Sequence, residues 1–274
     1  MRIALGLEYR GSAYCGWQSQ PSGVTVQDRL ELAISKFIGV AEAGNVSRTI
    51  SAGRTDTGVH AIAQVVHFDT SVSREPQSWL RGVNAHLPDD IRVLWAHQLT
   101  DSVAEEFHAR FAARSRTYQY LLLNDAVDAG LQMGQVGWYH APLDVSAMRE
   151  AMNSIIGTHD FSAFRSIECQ AKTPIKTIIE ARIIQQGQLI QFHFRANAFL
   201  HHMVRNLVGS LVYIGAGKQD RTWLLSLIAS KSRALAAPTF QPDGLYLQAI
   251  EYDEKFQLPQ FRTRKHFFDT SGVI

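Results

Sequence analysis

Eleven consecutive residues, Ser51-Ala52-Gly53-Arg54-Thr55-Asp56-Thr57-Gly58-Val59-His60-Ala61, bring together two glycines, a guanidinium, a carboxylate, hydroxyls and an imidazole. Glycine is used where a backbone turns sharply or lets a ligand come close. Asp56 is therefore expected on a tight, stiff loop beside a fixed positive charge. A carboxylate held this way can attack as a nucleophile or take a proton as a base. A plainer reading makes Asp56 a turn residue that caps neighbouring N–H groups. The triplet Asp56-Thr57-Gly58 also matches the Asp-Thr-Gly of aspartic proteases. Those enzymes need two carboxylates sharing a proton. The chain has no second such triplet, so only a homodimer would complete that site.

The elements that must position this loop can be read from periodicity. Arg2–Tyr9 alternates as a strand, and a loop with Tyr14-Cys15-Gly16-Trp17-Gln18 follows. Thr25 is placed to cap a helix with Asp28 in a capping-box position. Val26, Leu30, Ile34 and Phe37 fall at helical spacing before Gly39. Strands are expected over residues 46–50 and 64–68. A second helix starts at Pro76, carries Trp79, Val83 and Leu87, and is ended by Pro88; a strand follows through Ile91, Val93 and Trp95.

This β-α-β-β-α-β order is the ferredoxin-like unit, and the second half repeats it. A strand is expected over residues 117–123. A helix then follows Asp144 with Met148, Met152 and Ile155 on one face and Gly157 closing it. A hairpin over 178–184 and 189–194 turns at Gln186-Gly187-Gln188. A helix over 200–214, an extra one near 222–230 and a closing strand over 245–250 complete the order. The expected architecture is α+β, two ferredoxin-like (RRM-like) halves whose antiparallel sheets face a central basic cleft. Residues 1–107 form the first domain, 108–256 the second, and 257–274 a tail with Arg262, Arg264, Lys265 and His266.

Bulk properties bound the function. The chain has 274 residues, 46% hydrophobic and 19% charged, an ordinary globular composition. Neither a secretory signal nor a run of roughly 18 apolar residues is visible. Two isolated cysteines, Cys15 and Cys169, suit a reducing cytoplasm. Net charge is +2, but residues 1–107 hold 9 Lys/Arg against 12 Asp/Glu and residues 108–274 hold 18 against 13. A basic second half is compatible with a polyanionic partner, and equally with a solvated surface.

Taken in order, six segments resemble the motifs of the tRNA pseudouridine synthase A (TruA) family. These are Tyr14–Gln18, Gly53–Ala61, Phe107-His108-Ala109-Arg110-Phe111 with Tyr118-Gln119-Tyr120, Asp160-Phe161-Ser162-Ala163-Phe164-Arg165, Asn197–Asn206, and Gly244-Leu245-Tyr246-Leu247. The resemblance implies isomerisation of uridine to pseudouridine in the tRNA anticodon stem-loop, at nucleotides 38, 39 and 40, by a homodimer needing no metal or cofactor. It implies that Asp56 acts on the sugar and that Arg205 is the cation paired with it. Tyr118 would stack on the uracil and serve later proton transfer, and Leu245 would wall the base.

The residues themselves fit that chemistry. A carboxylate in a cleft shielded from water stays ionised only beside a cation. Arg205 is expected on a helix face shared with His201, four residues earlier. Arg54, beside the carboxylate, would hold the gap left by a flipped base or grip its phosphate. His60 stands in the substrate group, with bracing of the loop its stronger role. Arg110, Arg114, Arg116, Arg165, Lys172 and Lys176 are candidate phosphate contacts, and His202 a candidate RNA contact. Adjacent histidines on a helix point about 100° apart, so no metal is expected at His201-His202. The rival from another class is a non-catalytic RNA-binding protein. It has no need of a buried carboxylate, and the RRM aromatic signature is absent from both halves.

Overall fold

The computed structural model describes residues 1–39 and 47–261. The first half runs β1 (Arg2–Tyr9), α1 (Val26–Ile38), β2 (Ile50–Ser51), β3 (His60–Asp69), α2 (Pro76–Asn84) and β4 (Ile91–Gln98), followed by the short α3 (Asp101–Ala104). The second runs β5 (Ser115–Asn124), β6 (Gly137–Tyr139), α4 (Val145–Asn153), β7 (Gly157–Asp160), β8 (Ile175–Gln186), β9 (Leu189–Ala196), α5 (Met203–Gly215), α6 (Trp223–Ser230) and β10 (Leu245–Glu251). The α+β class and the repeated element order are as expected.

Local chemistry explains most boundaries. The Thr25 hydroxyl accepts from the Asp28 N–H at 3.2 Å, and Gly39 leaves α1 at φ 91°. Asp144 caps α4 through the Ala147 N–H at 3.0 Å. The two-residue turn between β8 and β9 places Gly187 at φ 58°. Gly157 opens β7 rather than closing a helix, and α2 stops at Asn84, ahead of Pro88. Of the strand expected over 46–50, only Ile50 falls within β2, and Val46 lies outside the described residues. The basic residues expected at the tail, Arg262 to His266, also lie outside them.

The largest difference concerns the sheets. They do not face each other; they are one. The strand order is β4-β1-β3-β10-β5-β9-β8-β7, with β2 on β3 and β6 on β5. In each half the order is the ferredoxin one, and the halves fuse along an edge. The reason is visible in β2, which pairs only Ile50 with His67 and Ser51 with Val66. That leaves the start of β3 unpaired, and an open strand edge readily recruits another strand. Strand β10 fills the gap in parallel, Tyr246 opposite His60 and Leu247 opposite Ala61, while pairing antiparallel with β5.

Side chains from both halves share one core. Leu30 and Ile34 of α1, Trp79 and Val83 of α2, Met148 and Met152 of α4 and Leu207 and Leu211 of α5 pack with Ile3, Leu5, Phe68, Tyr120, Phe192 and Leu247. The alternate residues Ala4, Val65 and Trp95 pack separately with Phe107 and Phe256. The loop between β2 and β3, residues 52–59, therefore emerges at the seam where the halves join. Among the described residues no helix is long and apolar enough to cross a membrane.

Candidate active site

The loop of residues 52–59 is tied down along its length. The Ala52 N–H donates to the Val65 carbonyl at 2.8 Å. The Gln64 amide donates to the Gly53 carbonyl at 2.7 Å, and the Trp17 N–H to the Thr55 carbonyl at 2.9 Å. The hydroxyls of Tyr9 and Thr55 meet at 2.8 Å inside the fold. Gly58 sits at φ 81°, where only glycine is unstrained. A Cβ on Gly16 would stand 2.6 Å from the Thr55 carbonyl oxygen. The early Gly-Trp pair thus lies flush beneath the loop.

His60 is buried with both ring nitrogens engaged. Nδ1 accepts from the Gly11 N–H at 2.9 Å, so Nε2 carries the proton and donates to the Asp243 carbonyl at 3.0 Å. Its ring stacks on Tyr246 with centroids 4.6 Å apart, and burial pushes its pKa down. It braces the seam; the geometry gives it no substrate-binding role.

Asp56 sits at the centre of three cationic or potentially cationic side chains. Arg205 Nη1 donates to Oδ2 at 3.0 Å, His201 Nε2 lies 3.1 Å from Oδ1, and His202 Nε2 lies 3.3 Å from Oδ2. The Asp56 and Arg205 side chains are 20% and 14% exposed. Burial is the largest influence on the carboxyl and pushes its pKa up. The hydrogen bond from His201 and the charges of His202, His201 and Arg205 together outweigh it and hold the net value below the ordinary one. The imidazoles are not equivalent in this. His201 is raised, chiefly by its hydrogen bond to Asp56, whereas burial lowers His202. His202, lowered by burial, is charged only on the acid side where the carboxyl itself titrates, so the counter-charge that persists at neutral pH is Arg205. Its Nε donates to the Phe240 carbonyl at 2.8 Å, which fixes the guanidinium at two points.

The histidines reach Asp56 because they are not on the helix. α5 begins at Met203, not residue 200, and His202 just before it is left-handed at φ 63°. Off the helix, the two imidazoles need not diverge by the 100° of helical neighbours, and the expected absence of a metal-ligand arrangement there does not hold. Their rings lie 4.0 Å apart, and the three groups offer ligand atoms all within 4.8 Å of one another. Sequence pattern alone gives His201 no part in the chemistry. Its signal was its position four residues before Arg205.

Tyr118 lies on β5 against the loop, 8% exposed, edge-to-face with Phe199 at 5.1 Å between centroids. A Cβ built on Gly53 would be 3.7 Å from its hydroxyl, so the phenol faces the Asp56 loop. Burial, the largest influence, raises its pKa, so the ring is a neutral phenol. No described residue takes its hydroxyl in a hydrogen bond. Leu245 is buried opposite Tyr120 at the start of β10.

The candidate phosphate contacts divide. Arg54 is exposed and makes no hydrogen bond or ion pair with a described residue, and Lys172 is likewise exposed. Arg110 is exposed over the Phe111 ring at 5.8 Å. Arg116 is not a surface cation: it is buried and donates to the carbonyls of Ala52, Arg110 and Asn197. Buried carbonyls left unpaired are costly, about 1–3 kcal/mol each, so this guanidinium stabilises the root of the Asp56 loop. Lys176 is also buried, its ammonium on the carbonyls of Thr173 and Ile175. Arg165 donates to the carbonyls of Cys169 and Ala171 and holds its own loop in shape. Arg114 is paired with Asp253.

What surrounds Asp56 among the described residues is thus an arginine and two imidazoles, with no second carboxylate sharing its proton, and the protease reading loses its basis. Comparison with known proteins agrees. The chain matches the family described as tRNA pseudouridine synthase over residues 7–112 and 151–253. It is 54% identical to tRNA pseudouridine synthase A of Herminiimonas arsenicoxydans over 94% of this chain and 92% of that one. It is 53% identical to the same enzyme of Janthinobacterium sp. over 96% of each chain. With that of Paraburkholderia xenovorans it shares 54% identity over 96% of this chain and 94% of the relative. An ionised carboxylate fixed by an arginine at the seam of two fused ferredoxin-like halves, joined to matches spanning nearly the whole length, establishes that this chain belongs to the tRNA pseudouridine synthase family.

Proposed function

We propose that the protein isomerises uridine to pseudouridine at nucleotides 38, 39 and 40 of the tRNA anticodon stem-loop, with Asp56 as the catalytic carboxylate. The reaction breaks the N1–C1′ bond, turns the uracil, and joins C5 to C1′. A proton leaves C5 and one is gained at N1. Reactant and product are isomers, so the stoichiometry calls for no oxidant, reductant or group donor. Asp56 opens the glycosidic bond by attacking C1′ or by removing the sugar C2′ proton; either role needs the ionised form.

The observation that carries this reading is the Asp56–Arg205 pair, 3.0 Å apart and largely shielded from water. Tyr118 offers an aromatic face and a hydroxyl that no described residue engages: the face suits stacking on an unstacked base, and the hydroxyl suits proton transfer at the turned uracil. Leu245 supplies apolar wall, and His202 with Arg205 confines the carboxylate. Arg54, exposed beside the loop and without a partner among the described residues, suits the gap or the phosphate left when a base swings out of a stem. Arg110, exposed over Phe111, suits a backbone phosphate. We assign the chain two functional halves, 1–107 and 108–256, a homodimeric state and a cytoplasmic location. The family resemblance and the two free cysteines support these assignments.

The test is Asp56→Asn assayed by tritium release from tRNA labelled at uracil C5. Loss of release with tRNA binding retained is expected. Full turnover by the variant refutes the assignment, and absence of release from the unaltered protein that still binds tRNA would favour a purely RNA-binding role.

A further inference from the structure

We propose that Asp56, His201 and His202 form a binding site for a divalent transition-metal ion of the zinc class, and that an ion held there silences the catalytic carboxylate. Only the silencing rests on the function proposed above; the binding stands on geometry. Two imidazole nitrogens and a carboxylate oxygen are the borderline donor set that zinc takes, with a fourth position left for water. In a tetrahedral zinc site, bonds of about 2.0–2.1 Å place neighbouring ligand atoms about 3.3 Å apart. Here His201 Nε2 stands 3.1 Å from Asp56 Oδ1 and His202 Nε2 3.3 Å from Oδ2, and one ligand atom from each residue fits within 4.8 Å of the others. Small side-chain rotations close the set around an ion.

The backbone holds the histidines in place before any ion arrives. The His201 N–H donates to Cys169 Sγ at 3.3 Å, and its carbonyl accepts from the Ser166 N–H at 3.1 Å. His202 takes the left-handed conformation that residues other than glycine seldom adopt, and its carbonyl accepts the Asn206 N–H at 2.9 Å. That turn converts two neighbouring residues into a convergent pair. The side chains are 34%, 27% and 20% exposed, so an ion has a path in. Coordination uses the Nε2 lone pairs. A proton on Nε2 of a neutral ring moves to Nδ1, one from a charged ring leaves to solvent, and no covalent bond of the chain or oxidation state changes. Arg205, 3.0 Å from Oδ2, opposes the incoming charge. The site is therefore weaker than a structural zinc site, and its strength is tied to that arginine. An ion on the carboxylate blocks both nucleophilic attack and proton removal.

The experiment is a titration of the full chain with Co²⁺, whose visible d–d absorption reports coordination by nitrogen and oxygen ligands, followed by displacement with Zn²⁺. One equivalent per chain is expected, bleached by zinc. His201→Gln and His202→Asn should each weaken cobalt binding more than tenfold; asparagine is chosen because it accepts the left-handed conformation. Arg205→Met should tighten it about tenfold, because a competing positive charge is gone. An adventitious histidine site elsewhere would not respond to that change. In a separate arm, zinc should abolish tritium release and a chelator restore it. No cobalt band, or a band indifferent to the histidine variants, overturns the site. A band without loss of turnover overturns the silencing. If metal-free protein shows no turnover at all, the proposed function fails while the cobalt titration still decides the site.

Discussion

Replacing Arg205 by methionine removes a charge while keeping much of the side-chain volume. Two unit charges about 4 Å apart attract by about 4 kcal/mol at an effective dielectric near 20. The side chains of Asp56 and Arg205 are 20% and 14% exposed, and two imidazoles remain on the carboxylate. About half of that figure, ~2 kcal/mol, is a reasonable loss after solvent screening. At 1.36 kcal/mol per tenfold, this is about a thirtyfold rise in the affinity of Asp56 for a proton. In the unaltered protein Asp56 is held below the ordinary carboxylate value, so protonation does not limit turnover near neutrality. In Arg205→Met an acid limb should move into the accessible range. We expect kcat/KM for tritium release to fall about 10- to 100-fold near pH 7 and more steeply toward pH 5 than toward pH 8. Arg205→Lys should restore part of the neutral-pH rate, since it keeps the charge but lacks the Nε contact to the Phe240 carbonyl. An unchanged pH profile with full activity would refute the role of the arginine. Loss of tRNA binding with kcat intact would place it on phosphate instead.

Three further outcomes can be checked. Tyr118→Phe keeps the edge-to-face contact with Phe199 and should lower kcat at least tenfold with the Kd for tRNA unchanged; collapse of binding would contradict the stacking role. Arg54→Ala, which removes an exposed guanidinium free of described partners, should weaken tRNA binding and reduce the salt-dependence slope by about one if it meets a phosphate. His201 has a folded-state pKa raised by Asp56 above its ordinary 6.5. Its contribution to stability is full below that ordinary value and fades as pH rises through the raised one. His201→Gln should remove that fading, seen as a flatter Tm against pH between about 6 and 8, and an unaltered slope would show the pair to be energetically silent.

Local pattern revealed what local interactions decide. The alternation of Ile3, Leu5 and Leu7 marked β1 over its full length, and Thr25 with Asp28 marked the start of α1. It failed where distant chain segments decide. The start of α5 was placed too early because Leu200 continues the apolar rhythm, whereas Asn197 accepts N–H groups from Thr177 and Ala198 and turns the chain first. The pairing of β10 with β3 joins segments about 185 residues apart, and no short-range signal encodes it. The same limit applies to cations. Arg205 and Arg116 are both arginines in basic segments, yet one faces a carboxylate and the other backbone carbonyls. Spacing could nominate both, and only the fold assigns them.

The seam also fixes when the protein becomes competent during synthesis. Asp56 leaves the ribosome early, Tyr118 and Arg205 follow much later, and β10, which cements the two halves, comes last of the strands. Until residues 245–251 are available, β3 and β5 lack the strand that joins them, and the Asp56 loop and Arg205 sit on halves not yet bound edge to edge.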